Sequence, residues 1–229
     1  MPRYVPNALV DRIVGLTAVG AVCASLVHRD RTGRGQRVDI PMFETMLSRV
    51  SGGRFANALD VGCGEGRFCR MLKAAGIRAT GIDPTPALLD QARKRDASGD
   101  YRFGRAERLE FPDASFDLVV SYITLVDIPD FRTAIGEMAR VLSPGGSLLI
   151  ANLTGFISAC CDQGWVKDEQ GNHLHFPVDN YLSEFPLWLE WNGIRVVNWH
   201  RPLTAYMFAP PSARFEASSL NAQYDLFTT

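Results

Sequence analysis

The chain has 229 residues, a formal net charge of −1, and ordinary proportions of hydrophobic (46%) and charged (21%) side chains. That is room for one main α/β domain with a full core, and it excludes a disordered chain and a strongly basic nucleic-acid binder. The five cysteines are odd in number and scattered, with no C-x-x-C pair, so neither a disulfide framework nor a zinc knuckle is expected, and reduced thiols in a cytoplasmic protein fit best.

The first predicted element is the uncharged run IVGLTAVGAVCASLV, residues 13–27. As a helix it would span only about 22 Å, short of the ~30 Å hydrocarbon core, and Asp11 against the run disfavours a signal peptide. A buried helix is the expectation. The stretch DRTGRGQRVDIPMFETM, residues 30–46, follows with three arginines. A phosphate cradle needs its glycines between a strand and a helix, whereas these follow the apolar helix and precede a strand-like segment. A near-neutral chain gives a nucleic-acid patch little support. Residues 50–57, within SRVSGGRFAN, read as a glycine-containing linker.

From residue 57 the pattern alternates. ALDVG is a short apolar strand ending in glycines. EGRFCRMLKAAG then places Phe68, Met71, Leu72 and Ala75 at helical spacing, closed by Gly76. IRATGID is a second strand, and Thr85 with Pro86 opens the helix PALLDQARKRD. DYRFGRAERLEF supplies a third strand and loop, and SFDLVVSYITL a fourth, apolar enough to be covered on both faces. Asp130 caps a helix whose inner face is Phe131, Ile135, Met138 and Leu142, and SPGG turns into a fifth strand, SLLIANL. Strands alternating with crossover helices predict an α/β, Rossmann-like, doubly wound, mostly parallel sheet with its ligand at the carboxyl ends of the strands.

The residues just after each strand are therefore the candidate site. After the first strand stand Asp60, Gly62, Cys63, Gly64 and Gly66, a G-x-G-x-G loop that lets backbone approach a ligand closely. A dinucleotide fingerprint would want glycine where Arg67 stands, which argues against a nicotinamide oxidoreductase. Asp83 ends the second strand, before Pro84, where a carboxylate can accept ribose hydroxyls.

LDVGCGEGRFCRML, GIDPTPALLDQAR, FPDASFDLVVSYITLVDIPD and EMARVLSPGGSLLIANLTGF, in that order, resemble the motifs of class I S-adenosylmethionine-dependent methyltransferases, in the small-molecule branch with the type 11 domain. The resemblance covers residues 58–207. It implies S-adenosylmethionine as cofactor, a small-molecule methyl acceptor, and no nucleic-acid or membrane partner. It also implies that Asp83 binds the ribose, that Asp60 and the backbone of Gly62 to Gly64 hold the methionine end, and that Ser121 and Tyr122 line the far side. Family members commonly read G-D-A-E after the third strand, with the Asp on the adenine amino group. This chain reads Gly104, Arg105, Ala106, Glu107, and an arginine has only donors. Ala106 through its backbone and Glu107 through its carboxylate are the substitutes.

Methyl transfer needs a general base only when the acceptor carries a proton. His173 and His175 in GNHLHFP are candidates, with Tyr122, Asp127 and His200 behind them. H-x-H lacks a third ligand at recognisable spacing, so no metal is expected. The aromatic insert within residues 155–207 reads either as a lid shaping the acceptor pocket or as a helix packed on the core. Residues 208–229 lack apolar periodicity and read as an irregular tail, leaving the sheet short of its last strands with an exposed edge.

Residues 9–46 resemble an internal segment of type III CoA-transferases, with Asp11 at that family's catalytic aspartate. Most of such an enzyme is missing, so transferase activity is not expected. The organisation is then a CoA-transferase-like fragment (1–49) in place of the helices that normally cover the cofactor, a linker (50–57), the methyltransferase domain (58–207) and the tail. A cofactor-binding or vestigial fusion protein without turnover is the alternative to an active methyltransferase.

Overall fold

The computed structural model describes residues 9–34, 55–153, 155–160, 165–191 and 193–207. The expected linker up to residue 54 and the tail from residue 208 lie outside these. Helix α1 is Leu9–Thr32. The expectation of a buried helix fails where side chains are described: Val22, Cys23, Leu26 and Val27 are all exposed. The run is apolar because its residues are small and uncharged, with little of the one-sided patterning that packs a helix against a core. Among the described residues, no helix is long and apolar enough to cross a membrane.

The alternating part forms the predicted sheet. Strands β1 (Asn57–Val61), β2 (Arg78–Asp83), β3 (Asp100–Phe103), β4 (Phe116–Tyr122) and β5 (Leu142–Ala151) lie side by side in the order β3-β2-β1-β4-β5, all parallel. Helices α2 (Arg67–Ala74), α3 (Pro86–Arg95) and α4 (Phe131–Val141) form the crossovers. Leu59, Val61, Val119, Phe131, Ile135 and Met138 close one face, and Phe55, Ala58, Phe68, Leu72, Leu118 and Val120 the other. The central strands are therefore apolar on both sides. Asp117 anchors the start of β1, accepting from Ala56 N at 2.8 Å and Asn57 N at 3.0 Å.

Local signals act as read, with two refinements. Asp130 caps α4, accepting from Thr133 N at 3.1 Å, and Gly76 ends the α2 turn with φ +80°. Thr85 holds the cap position of α3 without a side-chain cap bond; its own N–H donates to Asp83 Oδ1 at 2.8 Å. The SPGG segment counts within β5, but the ladder breaks there. Phe116 pairs with Leu142 and Leu118 with Ser147, so the intervening residues bulge out.

The aromatic insert is built mainly of strands, not of one helix packed on the core. After α5 (Gly155–Ser158), strands β6 (Val166–Lys167) and β7 (His173–His175) make a small antiparallel pair. Strands β8 (Phe185–Trp191) and β9 (Ile194–His200) make a long hairpin, followed by α6 (Leu203–Met207). Alternation in FPLWLEW and IRVVNWH on either side of an Asn-Gly pair favours a hairpin rather than a helix, and Gly193 has φ +76°. The hairpin forms its own sheet, and the described order of the main sheet ends at β5.

Arg201 ties the hairpin to the domain. It is 3% exposed, donates to Leu125 O (2.7 Å), Ile128 O (2.6 Å) and Pro129 O (3.0 Å), and lies over the Phe131 ring. Three carbonyls and a ring face compensate a buried guanidinium that would otherwise be costly.

Candidate functional site

The carboxyl ends of β1 and β4, the glycine loop and the start of α2 border a cleft of about 220 Å³, lined by Asp60, Gly62, Cys63, Gly64, Glu65, Arg67, Phe68, Met71 and Tyr122. The glycines of the loop do different work. Gly62 (φ +76°) is fixed by packing, because a Cβ there would fall 2.2 Å from Thr124 Cγ2. Gly66 (φ +76°) is occupied likewise, 2.6 Å from the Tyr101 ring. Gly64, at φ +52°, has nothing within 4 Å of where a Cβ would stand. Gly64 is thus the position at which backbone meets open space, a narrower role than the sequence assigned to all three glycines.

Asp83 holds that backbone in place. It is 6% exposed, and its Oδ2 accepts from Gly64 N at 2.9 Å while Oδ1 accepts from Thr85 N. Each carboxylate oxygen retains a further lone pair for an incoming hydroxyl. Asp60 is almost fully buried beneath the loop, and burial, moderated by a hydrogen bond from Cys69 and reinforced by the charge of Asp83, raises its pKa to about 7. Asp127, on the 3-10 turn Leu125–Asp127, is raised to about 6 by desolvation and then by Asp83. At the rim, burial pushes Glu65 up, but hydrogen bonds from Arg70 (2.8 Å) and Arg95 hold it below the usual carboxylate range.

The end of β4 is strained where it meets the cleft. Ile123 has φ +53°, uncommon for a β-branched residue, and its N–H donates to Ala151 O at 2.7 Å. Before it, the Tyr122 ring stacks on Phe68 (6.3 Å, 6°). Ser121 is fully buried rather than on the cleft wall, and its hydroxyl has no hydrogen-bond partner. Such an unmet polar atom at the strand end is the kind a bound polar ligand can satisfy.

The structure brings Asp60, Gly62, Cys63, Gly64 and Tyr122 to the cleft and connects Asp83 to it through Gly64. Pro84 is exposed, Ala106 is buried in the core and Glu107 half-buried, while Arg105 is exposed and bridges Arg108 across a short turn. The histidine candidates are not brought in. His173 and His175 are exposed on β7, His173 stacking on Trp165 (5.1 Å). His200 is fully buried, its Nε2 donating to Tyr181 O (2.9 Å) and its Nδ1 meeting Ser158 Oγ (2.7 Å), so both ring nitrogens are engaged in structure. Among the described residues, no three histidine, cysteine or carboxylate side chains group as metal ligands. The sequence reading missed Met71 and Phe68 as cleft residues because their i, i+3 spacing marks them equally as a core face, and Phe68 serves both.

A parallel five-stranded sheet whose first strand ends in a glycine turn, with a carboxylate on the second, defines a nucleotide-type α/β site. Comparison narrows it. Residues 59–150 match the methyltransferase domain family model, and residues 1–70 match that of CoA-transferase family III. Malonyl-(acyl-carrier protein) O-methyltransferases from Serratia marcescens and Erwinia billingiae are 33% and 32% identical over 58% and 70% of this chain. The chain spans 52% and 60% of their lengths. An S-adenosylmethionine dependent methyltransferase structure from Mesorhizobium loti superposes with a TM-score of 0.62 at 30% identity, over 72% of this chain and 78% of that one. The chain belongs to the S-adenosylmethionine-dependent methyltransferase family.

Proposed function

We propose that this chain binds S-adenosylmethionine beside Gly64 and transfers its methyl group to a small-molecule acceptor. The observation that carries the reading is the pairing of Gly64 with Asp83: an open, positive-φ glycine held by a buried carboxylate above a second carboxylate, Asp60. A cationic ligand suits this acidic floor, and the spare lone pairs of Asp83 suit a ribose. Bound there, the sulfonium supplies an electrophilic methyl group. The protein's part is then to orient the acceptor and exclude water. Tyr122, stacked on Phe68, and Met71 form the apolar wall for that task. Of the proton acceptors considered, we favour Asp127, whose pKa is raised to about 6 by burial and then by the charge of Asp83.

The organisation proposed is a CoA-transferase-like segment (1–49), a linker (50–57), the methyltransferase unit (58–207) with its insert, and the tail (208–229). Phe55, buried against Phe68 and Leu118, supports a start of the packed unit close to that boundary. The acceptor is proposed to be small; that of the Serratia and Erwinia relatives is, by name, a malonyl group borne by an acyl-carrier protein. Calorimetric titration with S-adenosylmethionine, then methyl-transfer assays over an acceptor panel, test the reading. Arg105 favours one alternative: binding without turnover would make the chain a cofactor-binding vestige, and absence of binding would contradict both.

A further inference from the structure

Two thiols lie under the glycine loop, and the proposed methyl transfer uses neither side chain. Cys63 leaves β1 and lines the cleft; Cys69 is buried on α2. Their sulfurs converge over β2. A Cβ on Gly81 would lie 2.7 Å from the Cys63 sulfur and 2.9 Å from the Cys69 sulfur, so glycine at 81 is what leaves the two thiols a common space. Cys69 Sγ also donates to Asp60 Oδ2 at 3.3 Å. Cys63 lines the cleft and Cys69 lies buried behind it, so Cys63 is the sulfur an oxidant entering the cleft meets first.

From this geometry we propose that Cys63 and Cys69 form a redox pair that closes to a disulfide under peroxide and, in closing, shuts the cofactor cleft. Peroxide entering the cleft meets Cys63: an S–O bond forms, the O–O bond breaks, and sulfenic acid and water result. The Cys69 sulfur then attacks the Cys63 sulfur. The S–S bond forms, the S–O bond breaks, and the departing hydroxide leaves as water with the Cys69 proton, for which the Asp60 carboxylate is the near relay. Overall, two thiols and one peroxide give one disulfide and two waters. A disulfide needs its sulfurs about 2 Å apart, so the loop must draw toward α2. Gly64, next in the chain and held by Asp83, moves with it.

The test treats the full reduced chain with hydrogen peroxide, blocks remaining thiols with iodoacetamide and maps peptides by mass. The expected result is a Cys63–Cys69 cross-linked peptide that dithiothreitol reverses, absent in both Cys63→Ser and Cys69→Ser. Finding both cysteines alkylated after peroxide, or joined instead to other cysteines, would overturn the pair. The effect on binding rests on the cofactor reading above, and the mapping does not. S-adenosylmethionine affinity is expected to fall at least tenfold on oxidation and to persist after peroxide in Cys69→Ser. Unchanged affinity in a chain shown to be cross-linked would overturn the closure.

Discussion

Thr124 occupies the space that a side chain at Gly62 would need: a Cβ there would lie 2.2 Å from Thr124 Cγ2, and the Thr124 hydroxyl donates to Gly62 O at 3.4 Å. Two residues later, the same construction at Gly64 meets nothing. The loop thus separates a glycine required by packing from one whose side-chain space is open, where the cofactor is proposed to sit. Gly62→Ala is expected to lower stability by several kcal/mol, combining a forced left-handed backbone with a steric clash. Gly64→Val is expected to cost about 1–2 kcal/mol from its backbone alone, yet to abolish cofactor binding. Urea denaturation beside calorimetric titration distinguishes the two.

Arg201 is expected to decide whether the hairpin stays docked. Arg201→Met keeps much of the apolar stem but strands the carbonyls of Leu125, Ile128 and Pro129. A loss of about 2–4 kcal/mol follows from leaving buried acceptors unpaired. Denaturation measures it, and limited proteolysis is expected to cut first within residues 181–200.

The buried Asp60 gives a pH signature. Its folded pKa of about 7 lies above the unfolded value, so the folded state holds the extra proton between roughly pH 4 and 7. Its contribution to stability is therefore present at low pH and is lost as pH rises through about 7. A cationic cofactor favours the ionised form, so affinity is expected to rise over the same interval. Asp60→Asn is expected to remove both slopes, as read from stability and affinity measured from pH 5.5 to 8.5.

By the resemblance, Arg105 takes the place of an adenine-binding carboxylate. Arg105→Asp restores an acceptor and is expected to tighten S-adenosylmethionine binding about three- to tenfold, with little change in stability because the residue is exposed. Removal of residues 1–49 is expected to leave binding in place. Loss of binding on that deletion would assign the segment a covering role.

Much of this was legible in the sequence because strand and helix periods, glycines and caps act locally. The parallel pairing of β1 to β5 and the place of Asp83 at the end of β2 follow from alternation and crossover rules, whereas the order of the strands does not. The hairpin β8–β9 was also written in the chain, in alternating runs on either side of an Asn-Gly pair, but aromatic density alone left a packed helix open as an alternative. Arg201 and His200 were not legible. Their partners lie on other elements, 76 residues away for Leu125 O and on the backbone at Tyr181 for His200, and no spacing rule encodes a buried cation satisfied by carbonyls. The exposed face of α1 escaped for a related reason, since apolar composition alone does not supply a surface to pack against.

The most direct measurement of the central claim is calorimetric titration of the full chain with S-adenosylmethionine, run beside Gly64→Val. One site per chain with a dissociation constant in the micromolar range, lost in Gly64→Val while its fold persists by circular dichroism, is the predicted result. No binding by the unsubstituted chain, or equal binding by folded Gly64→Val, would contradict the cleft as the cofactor site.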